Sequence, residues 1–529
     1  MNLHSISFRT LYIFICLLSF QCQALDLNNP GDTRSQAGLL AALWRNAARP
    51  ISVCDTSTFE YAPNVRANYT VGQGKPVLNP IQIVQAQDQS LYVFGYTNFN
   101  PEKNLTSFSG QEGTGNNFNA AVIKFSPKGD ILWSRTLGRA SVAGNGVGIS
   151  LSPKGVYVVS TATESIGNPL QSFVGSNANV GVFSLSPEGQ LLWNTYYGNT
   201  GTDNRVYTVA TFPNGDLVLG GDSLTAGFIN FPGTLKKSYT TVPANVSFIL
   251  RVSSEGLGQW VHYFGGAGTV TRSAERVTIS STNHIWVQGY DSVPFDALAN
   301  RVGVNHPSDG FKHFVITQFD ENGNYQRHTF MPSTVNQSSP ILPMPLEANG
   351  SGNEMLFGGL SNNRFIGFDG VPGRSHQGSA DQFLVRFNSN LQASFLAYLG
   401  SANQEIGPVY RIFQDKRKGA YYAYVAYLTD PKLAPNVVFP PGNIRTALLR
   451  LDESGQLLEH GYQVSNDTTF LVPLSMAETC DGGVVVGYFE GDNLDFSNSS
   501  FAKYRIRKLP PPIPVHHDYT VPWGTQAGP

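Results

Sequence analysis

The residues that could do chemistry in this chain are scattered rather than gathered in one motif. The ten histidines include no His-x-x-x-His or His-Glu-x-x-His pair of the kind that binds zinc. His516-His517-Asp518 has metal-ligand chemistry, but it lies in a Pro-rich tail and is better explained as a solvated segment. The Gly-x-Ser-x-Gly elbow of many hydrolases is absent, and the Asp-Glu pairs at 320–321 and 452–453 fall on expected hairpin tips. We therefore predict no catalytic residue, no cofactor and no metal site.

Binding residues are expected instead in the long loops that differ from one part of the chain to another. Positions that do not repeat are not needed for packing between blades, so their side chains are available to bind a partner. The longest of these loops are Ser223–Asn245, Asp291–Lys312, Ser361–Ala380 and Leu428–Arg445. The binding candidates within them are Tyr239, Phe295, His306, Arg364, His376 and Pro435.

A repeating pattern positions these loops. Seven times between Pro80 and Lys508 the chain shows two short apolar strands, a Gly/Pro/Ser-rich loop, and two further strands of which the last is often aromatic. One isolated Phe marks each loop, and we expect it to plug the space between blades: Phe108, Phe173, Phe231, Phe295, Phe368, Phe439, Phe496. Because four short strands cannot bury both of their faces alone, the copies must stack and close into a ring. We therefore predict an all-β fold, a single seven-bladed β-propeller of four-stranded blades.

The turns within the repeat support this prediction. Ser126–Gly129 and Ser186–Gly189 place Pro where a type I turn favours its fixed φ, and Gly where a left-handed residue closes a hairpin. Three tryptophans recur on predicted fourth strands, where packing between blades explains them: Trp133, Trp193, Trp260.

The last repeat supplies only three strands, because Pro510-Pro511-Pro512 ends its ladder. We expect its fourth strand to come from residues 51–70 and to pair with Lys503–Lys508. That pairing would bring Cys54 beside the blade that contains Cys480. An even pair of cysteines in an exported protein suggests a disulfide, and the alternative is two free buried thiols.

The N-terminus has the pattern of an export signal. Arg9 is followed by the apolar run Leu11–Phe20 and by a small-residue cleavage site at Ala24. An internal first strand is one alternative, and lipidation of Cys22 is another. The predicted divisions are 1–24 signal peptide, 25–50 helical segment, 51–509 propeller with 51–70 as closing strand, and 510–529 Pro-rich tail. The helical segment has two interpretations: it docks on the propeller, or it lies on a membrane surface.

Composition excludes some partners. The net charge is −2 and the chain lacks the basic stripe that phosphate backbones require, so we expect no nucleic acid partner. The longest apolar stretch is the N-terminal one, so we expect no transmembrane segment in the body of the chain. The seven Asn-x-Ser/Thr sequons are about as many as chance gives and do not establish a glycosylating host.

One known repeat family is similar to this chain. The stretch from Phe368-Asp369-Gly370 through Ala380–Phe387 to Tyr398-Leu399-Gly400 resembles the bacterial SBBP-type β-propeller repeat, and Tyr196-Tyr197-Gly198 and Tyr263–Gly266 look like the same ending. The segment with Asn-Pro-Gly-Asp, its helix and Cys54 resembles leaders of spirochaete-type exported or lipidated proteins. The resemblance implies an extracytoplasmic propeller and no particular chemistry, because propellers host many functions.

The sequence therefore favours an exported, monomeric, non-enzymatic propeller that binds a protein or glycan partner at the cell surface or in the periplasm. The alternative is a propeller enzyme, a lyase or glycosidase, whose acid and base residues converge in the central channel. A purely structural surface protein is a third interpretation.

Overall fold

The structure is a computed structural model that describes part of the chain. The described residues are 54–61, 78–97, 106–107, 118–140, 147–224, 227–237, 246–265, 271–295, 302–334, 347–348, 354–376, 380–400, 411–415, 420–427, 445–452, 457–464, 470–481, 483–491 and 502–509. The chain divides into two compact units, Met1–Cys54 and Asp55–Pro529, and every described strand belongs to the second. These residues form strands and turns without a helix, so none of their elements is a long apolar helix able to cross a membrane. The predicted signal peptide, helical segment and Pro-rich tail lie outside them.

The protein is an all-β propeller whose described strands form six sheets. The first strand, β1, is Phe59–Tyr61. The largest sheet has nine strands: β2 Leu78–Gln85, β3 Leu91–Thr97, β4 Thr106–Ser107, β5 Phe118–Phe125, β6 Ile131–Ala140, β7 Val147–Ser152, β8 Gly155–Ala162, β9 Asn179–Leu185 and β10 Leu191–Tyr197. The next sheet has five: β11 Asn204–Thr211, β12 Leu217–Ser223, β13 Thr234–Lys237, β14 Val246–Val252 and β15 Gly258–Phe264.

Four sheets of four strands complete the fold. One is formed by β16 Thr271–Ile279, β17 Ile285–Asp291, β18 His313–Phe319 and β19 Tyr325–Met331. The next consists of β20 Glu347–Ala348, β21 Glu354–Ser361, β22 Asp381–Asn388 and β23 Ala393–Tyr398. It is followed by β24 Arg411–Asp415, β25 Ala420–Tyr427, β26 Arg445–Asp452 and β27 Leu457–Val464. The last sheet joins β28 Phe470–Glu478, β29 Val484–Gly491 and β30 Ala502–Leu509 to β1.

The prediction of seven four-stranded blades is wrong. The first two repeat units share the nine-stranded sheet, so the described strands form six blades rather than seven. The link is a pair between Ala140 at the end of β6 and Ala162 of β8. β6 has ten residues where β10 and β15 have seven each, and its additional length carries it onto the neighbouring unit.

The last sheet takes its fourth strand from the start of the chain. β1 pairs antiparallel with β30, with Phe59 opposite Lys508 and Tyr61 opposite Ile506. Phe59 and Tyr61 also pack on the ring of Phe125, with centroids 6.3 Å and 5.1 Å away. β1 lies within the segment 51–70 in which the sequence predicts a closing strand.

Both cysteines predicted to form a disulfide, Cys54 and Cys480, are disulfide-bonded in the structure. The residue after each cysteine, Asp55 or Asp481, contacts the ammonium group of Lys508. Lys508 Nζ donates to the carbonyl of Asp55 and lies 3.3 Å from the carboxylate of Asp481. A disulfide is compatible with an exported protein, because such bonds persist in oxidising compartments.

Neighbouring repeat units are held by a tryptophan that packs on the hairpin glycine of the next unit. Trp133 and Trp193 do so through ring contacts with Gly189 and Gly256, and Trp260 packs in the same way on Gly323. The indole N–H of Trp133 also donates to the Pro187 carbonyl at 2.8 Å, and that of Trp193 to the Ser254 carbonyl at 3.2 Å. At the ring closure Phe59 takes the tryptophan's place on Gly129. The packing role predicted for these tryptophans follows from this geometry.

We expect Gly256→Ala to destabilise the fold by about 2–4 kcal/mol, because it adds a clash to backbone strain. Gly256 has a φ of +84°, and a Cβ there would lie 2.8 Å from the Trp193 ring and 2.6 Å from Leu170. The matched control is Gly201→Ala, since Gly201 has a φ of +82° but nothing within 4 Å of an added Cβ. Urea unfolding of both variants measures the difference. Equal losses would show that the tryptophan contact contributes nothing.

Candidate functional site

In three repeat units, the loop between the second and third strands is held by a buried tyrosine. The hydroxyls of Tyr196 and Tyr398 accept the backbone N–H of Ile166 and Phe365 at 3.0 Å and 2.8 Å. The hydroxyl of Tyr263 holds the corresponding loop of the five-stranded sheet in the same way. Burial raises the pKa of all three hydroxyls. These tyrosines are therefore structural groups that remain protonated at neutral pH.

A second backbone hydrogen bond shows which loop positions are equivalent. The residue at the same place in β10, β19 and β23 donates its N–H to the carbonyl of Gln171, Val304 or Arg374, at 3.1, 3.3 and 3.0 Å respectively. Two residues further along, each loop presents a ring: Phe173 in the β8–β9 loop, His306 in the β17–β18 loop, His376 in the β21–β22 loop.

These three rings pack in the same manner. Phe173 meets the ring of Tyr196 edge-on at 5.5 Å, His306 meets Phe330 at 5.1 Å, and His376 meets Tyr398 at 5.0 Å. Two histidines thus occupy a place that an apolar ring fills elsewhere.

The first residue of the strand that follows each of these loops also differs between the three loops. In the β8–β9 loop it is Asn179, whose side-chain amide accepts from the N–H of Val174 and donates to the carbonyls of Val174 and Asn177. In the other two loops it is His313 or Asp381. These two loops therefore carry a pair of ionisable residues at the two positions where the β8–β9 loop carries Phe173 and Asn179.

In the β17–β18 loop the histidines and an aspartate form a compact cluster. His306 and His313 have ring centroids 4.7 Å apart, and His313 Nε2 lies 2.9 Å from Asp309 Oδ1. Backbone N–H groups of Ser308 and Ser333 donate to Nδ1 of His306 and His313, at 3.0 Å and 3.3 Å.

The three side chains could in principle hold a metal ion. However, a neutral ring that accepts at Nδ1 carries its proton on Nε2, where a metal would need a lone pair. The cluster is better described as a group of hydrogen-bonded side chains that holds this loop in place.

We expect acid to weaken the fold through His306. Burial, followed by the nearby His313, lowers the pKa of His306 in the folded protein. The unfolded chain then binds a proton at this histidine more readily than the folded chain does, so protonation of His306 favours unfolding. Above about pH 6.5 His306 is neutral in both states and does not lower the free energy of unfolding. As the pH falls below that value, protonation of His306 lowers the free energy of unfolding.

His306→Phe, which copies Phe173, should reduce the loss of thermal stability between pH 7.5 and 5.5. His284→Gln, at the exposed β16–β17 turn, should leave the pH dependence unchanged. Identical pH profiles for wild type and His306→Phe would contradict the assignment.

A cavity of about 230 Å³ lies in the β21–β22 loop. Its lining includes two arginines, Arg364 and Arg374, which we call the cationic wall, and the imidazole of His376. The apolar lining is Phe365, Phe368, Val371, Leu396 and Tyr398. Arg374 precedes the packed ring of His376 by two residues, so the backbone bond that seats His376 also seats Arg374.

Two carboxylates accompany the cationic wall and His376. Arg364 forms an ion pair with Asp369, and both side chains are mostly exposed. The His376 side chain is 9 % exposed, with Nδ1 3.7 Å from the buried Asp381 carboxylate. Its Nε2 is buried and has no hydrogen-bond partner among the residues that the structure describes. An unpaired buried polar atom is costly, so a ligand that bonds to it would gain from that contact.

A larger cavity of about 590 Å³ lies between two repeat units, beside Trp133. Its polar groups serve the packing of those units. Lys124 donates to Asp88 and to the Pro187 carbonyl, and Arg135 Nε donates to the Gly189 carbonyl. We therefore take the smaller cavity as the candidate site.

The structure brings together two of the residues singled out from the sequence, Arg364 and His376. His306 lies in the equivalent place of the preceding loop. Phe295 is 6 % exposed and packs against Phe264 and Phe330, so it belongs to the core. Tyr239, Pro435 and Cys22 lie outside the described residues. The sequence missed Arg374, because no pattern indicated which loop arginine faces the cavity.

Comparisons with known proteins give no family for this chain. No family model matches the chain, and no curated protein matches it. Solved structures with a similar fold include a periplasmic gluconolactonase of Pseudomonas aeruginosa, at 12% identity and a TM-score of 0.36, covering 76% of this chain and 95% of that one. An α-L-arabinofuranosidase of Fusarium graminearum has 10% identity and a TM-score of 0.39, covering 75% and 98%. An ulvan lyase has 9% identity and a TM-score of 0.40, covering 85% and 96%. At these values the likeness carries no argument about this chain.

Proposed function

We propose that this chain is a non-enzymatic β-propeller that binds a protein or glycan partner through its loops between second and third strands. The observation that carries the proposal is the exchange of the pair Phe173 and Asn179 for His376 and Asp381 in an equivalent loop. The uncharged pair serves ring packing and the hydrogen bonds of Asn179 within its own loop. The ionisable pair therefore supports a recognition role for the β21–β22 loop.

The chemistry of the cavity favours binding over catalysis. Tyr398 would be the natural partner of His376 in acid–base work, but its hydroxyl already accepts a backbone hydrogen bond and burial raises its pKa. The same arrangement at Tyr196 and Tyr263 marks it as a structural device. Tyr398 is therefore committed to holding the loop, which favours binding over proton transfer at this cavity.

We also propose export, with the partner met outside the cytoplasm. The disulfide-bonded cysteines support this location. Cleavage after Ala24 would give a protein that begins at Leu25, and lipidation would give one that begins at Cys22. The intact mass of the mature protein distinguishes the two, and a retained residue 1–24 segment would contradict export by this signal.

Loop exchange tests the binding role better than loop deletion. Phe365 and Phe368 are buried in the core, so shortening Ser361–Ala380 would damage packing as well as any site. A double variant, His376→Phe with Asp381→Asn, instead copies Phe173 and Asn179. Wild type and variant would be compared on a glycan array and in protein pull-downs.

We expect the variant to unfold at a similar temperature and to lose the partner that the wild type binds. Retained binding would contradict the role of this loop. Release of new reducing ends or unsaturated products from any bound glycan would instead support the enzyme alternative.

A further inference from the structure

We propose that the cavity in the β21–β22 loop binds a carboxylated sugar unit of an acidic glycan. This inference rests on the proposed function and names the ligand class of that site. The cationic wall supplies the charge, and the apolar lining and the cavity volume set the size of the unit.

The cationic wall is suited to a carboxylate. Guanidinium groups present planar forks of N–H donors that match the two oxygens of a carboxylate, and Arg364 and Arg374 both line the cavity. His376 adds an Nε2 atom that is buried and without a hydrogen-bond partner among the described residues. With Nδ1 directed at the Asp381 carboxylate, a neutral imidazole presents Nε2 as an acceptor, which suits a hydroxyl group of the sugar.

The ion pair with Asp369 shows that the guanidinium of Arg364 can bind a carboxylate. Asp369 already contacts Arg364, with 74 % of its side chain and 64 % of the arginine's exposed. Exposed pairs of this kind contribute little to stability, so a ligand carboxylate can take the place of Asp369 at small cost. The Asp381 carboxylate is buried and lies against the imidazole of His376, so it is not exposed to a ligand in the cavity.

The cavity's size favours one sugar unit over a protein surface. Its volume of about 230 Å³ is slightly below the range of about 300–1,000 Å³ typical of small-molecule pockets. Protein partners bury about 800 Å² on each side across surfaces that are much flatter. A lining that combines polar groups with apolar side chains suits a sugar ring, which has hydroxyl edges and C–H faces. An acidic peptide side chain would engage the arginines but leave the apolar lining in contact with water.

Calorimetric titration of the full mature chain tests the ligand class. The probes are an oligogalacturonate, a neutral oligogalactoside, a sulfated oligosaccharide and a poly-glutamate peptide. We expect the oligogalacturonate to bind and the other three to bind at least tenfold more weakly. Tighter binding of the sulfated probe would replace carboxylate by sulfate, and tighter binding of the peptide would assign the cavity to an acidic protein; either result overturns the proposal.

Three substitutions locate the binding. Arg364→Gln should weaken oligogalacturonate binding about tenfold or more, as loss of a hydrogen bond to a charged group does, and His376→Phe should weaken it through loss of the Nε2 acceptor. Asp369→Asn should strengthen binding by up to about fivefold, because it removes the competing carboxylate. Arg327→Gln is the control, since Arg327 is bonded to Asn390 outside the cavity.

The two proposals fail in different ways. Oligogalacturonate binding that Arg364→Gln and His376→Phe both leave unchanged would overturn the inference and leave the proposed function intact at another loop. Absence of binding to all four probes would overturn the carboxylated-sugar inference, and the array and pull-downs with the loop-exchange variant would still decide the proposed function.

Discussion

A chain that begins at Ala62 is expected to aggregate or to unfold without cooperativity, whereas the chain that begins at Leu25 folds. The shorter chain lacks β1, so β30 becomes an exposed edge with unpaired backbone groups. It also loses the rings of Phe59 and Tyr61, which pack on a cluster that includes Phe125, Val485 and Ile506 and so spans the first and last sheets.

Gel filtration and chemical unfolding of the two chains measure this effect. A chain that begins at Asp55 is the control, because it keeps β1 and the Lys508 contact with the Asp55 carbonyl but lacks Cys54. We expect it to unfold cooperatively at a lower temperature than the longer chain. Cooperative unfolding of the Ala62 chain at the temperature of the longest chain would show that β1 is dispensable.

Local turn chemistry explains why much of the fold can be predicted from the sequence. The Ser-Pro-x-Gly hairpins require a left-handed glycine, and Gly129 and Gly189 have φ values of +91° and +78°. Strand length and period fix the repeat unit in the same way. The number of blades is different, because it depends on whether two units share an edge. That is decided by the single pair of Ala140 with Ala162, which no periodicity records.

The site could be predicted only in part, because equivalent positions in loops of different length are set by backbone bonds. The sequence aligns the loops on Phe173, Phe295 and Phe368. The structure instead aligns Phe173 with His306 and His376, since the residues two places earlier accept the same strand N–H. Choosing non-repeating loops nevertheless selects Arg364 and His376, which both line the cavity, because residues in such loops are not constrained by the packing that makes the other positions alike.

Replacing either cysteine is expected to lower the stability of the fold by about 2–5 kcal/mol. Cys54 and Cys480 are more than 400 residues apart in sequence, and both are disulfide-bonded. A bridge between them would close a very long loop in the unfolded chain, and the entropy lost there is what such a bridge contributes in the chain-entropy model. Gln85 Oε1 accepts the backbone N–H of Cys480, and Gln89 Oε1 that of Asp55, both at 2.7 Å.

Non-additivity tests whether the two cysteines are bonded to each other. Cys54→Ser, Cys480→Ser and the double variant should then unfold at the same temperature, equal to that of the reduced wild type, because each removes the same bond. Peptide mapping without reductant should recover one peptide that contains both cysteines. Free thiols at both positions, or losses that add in the double variant, would show that no such bridge closes the ring, and the pairing of β1 with β30 would then hold the closure without it.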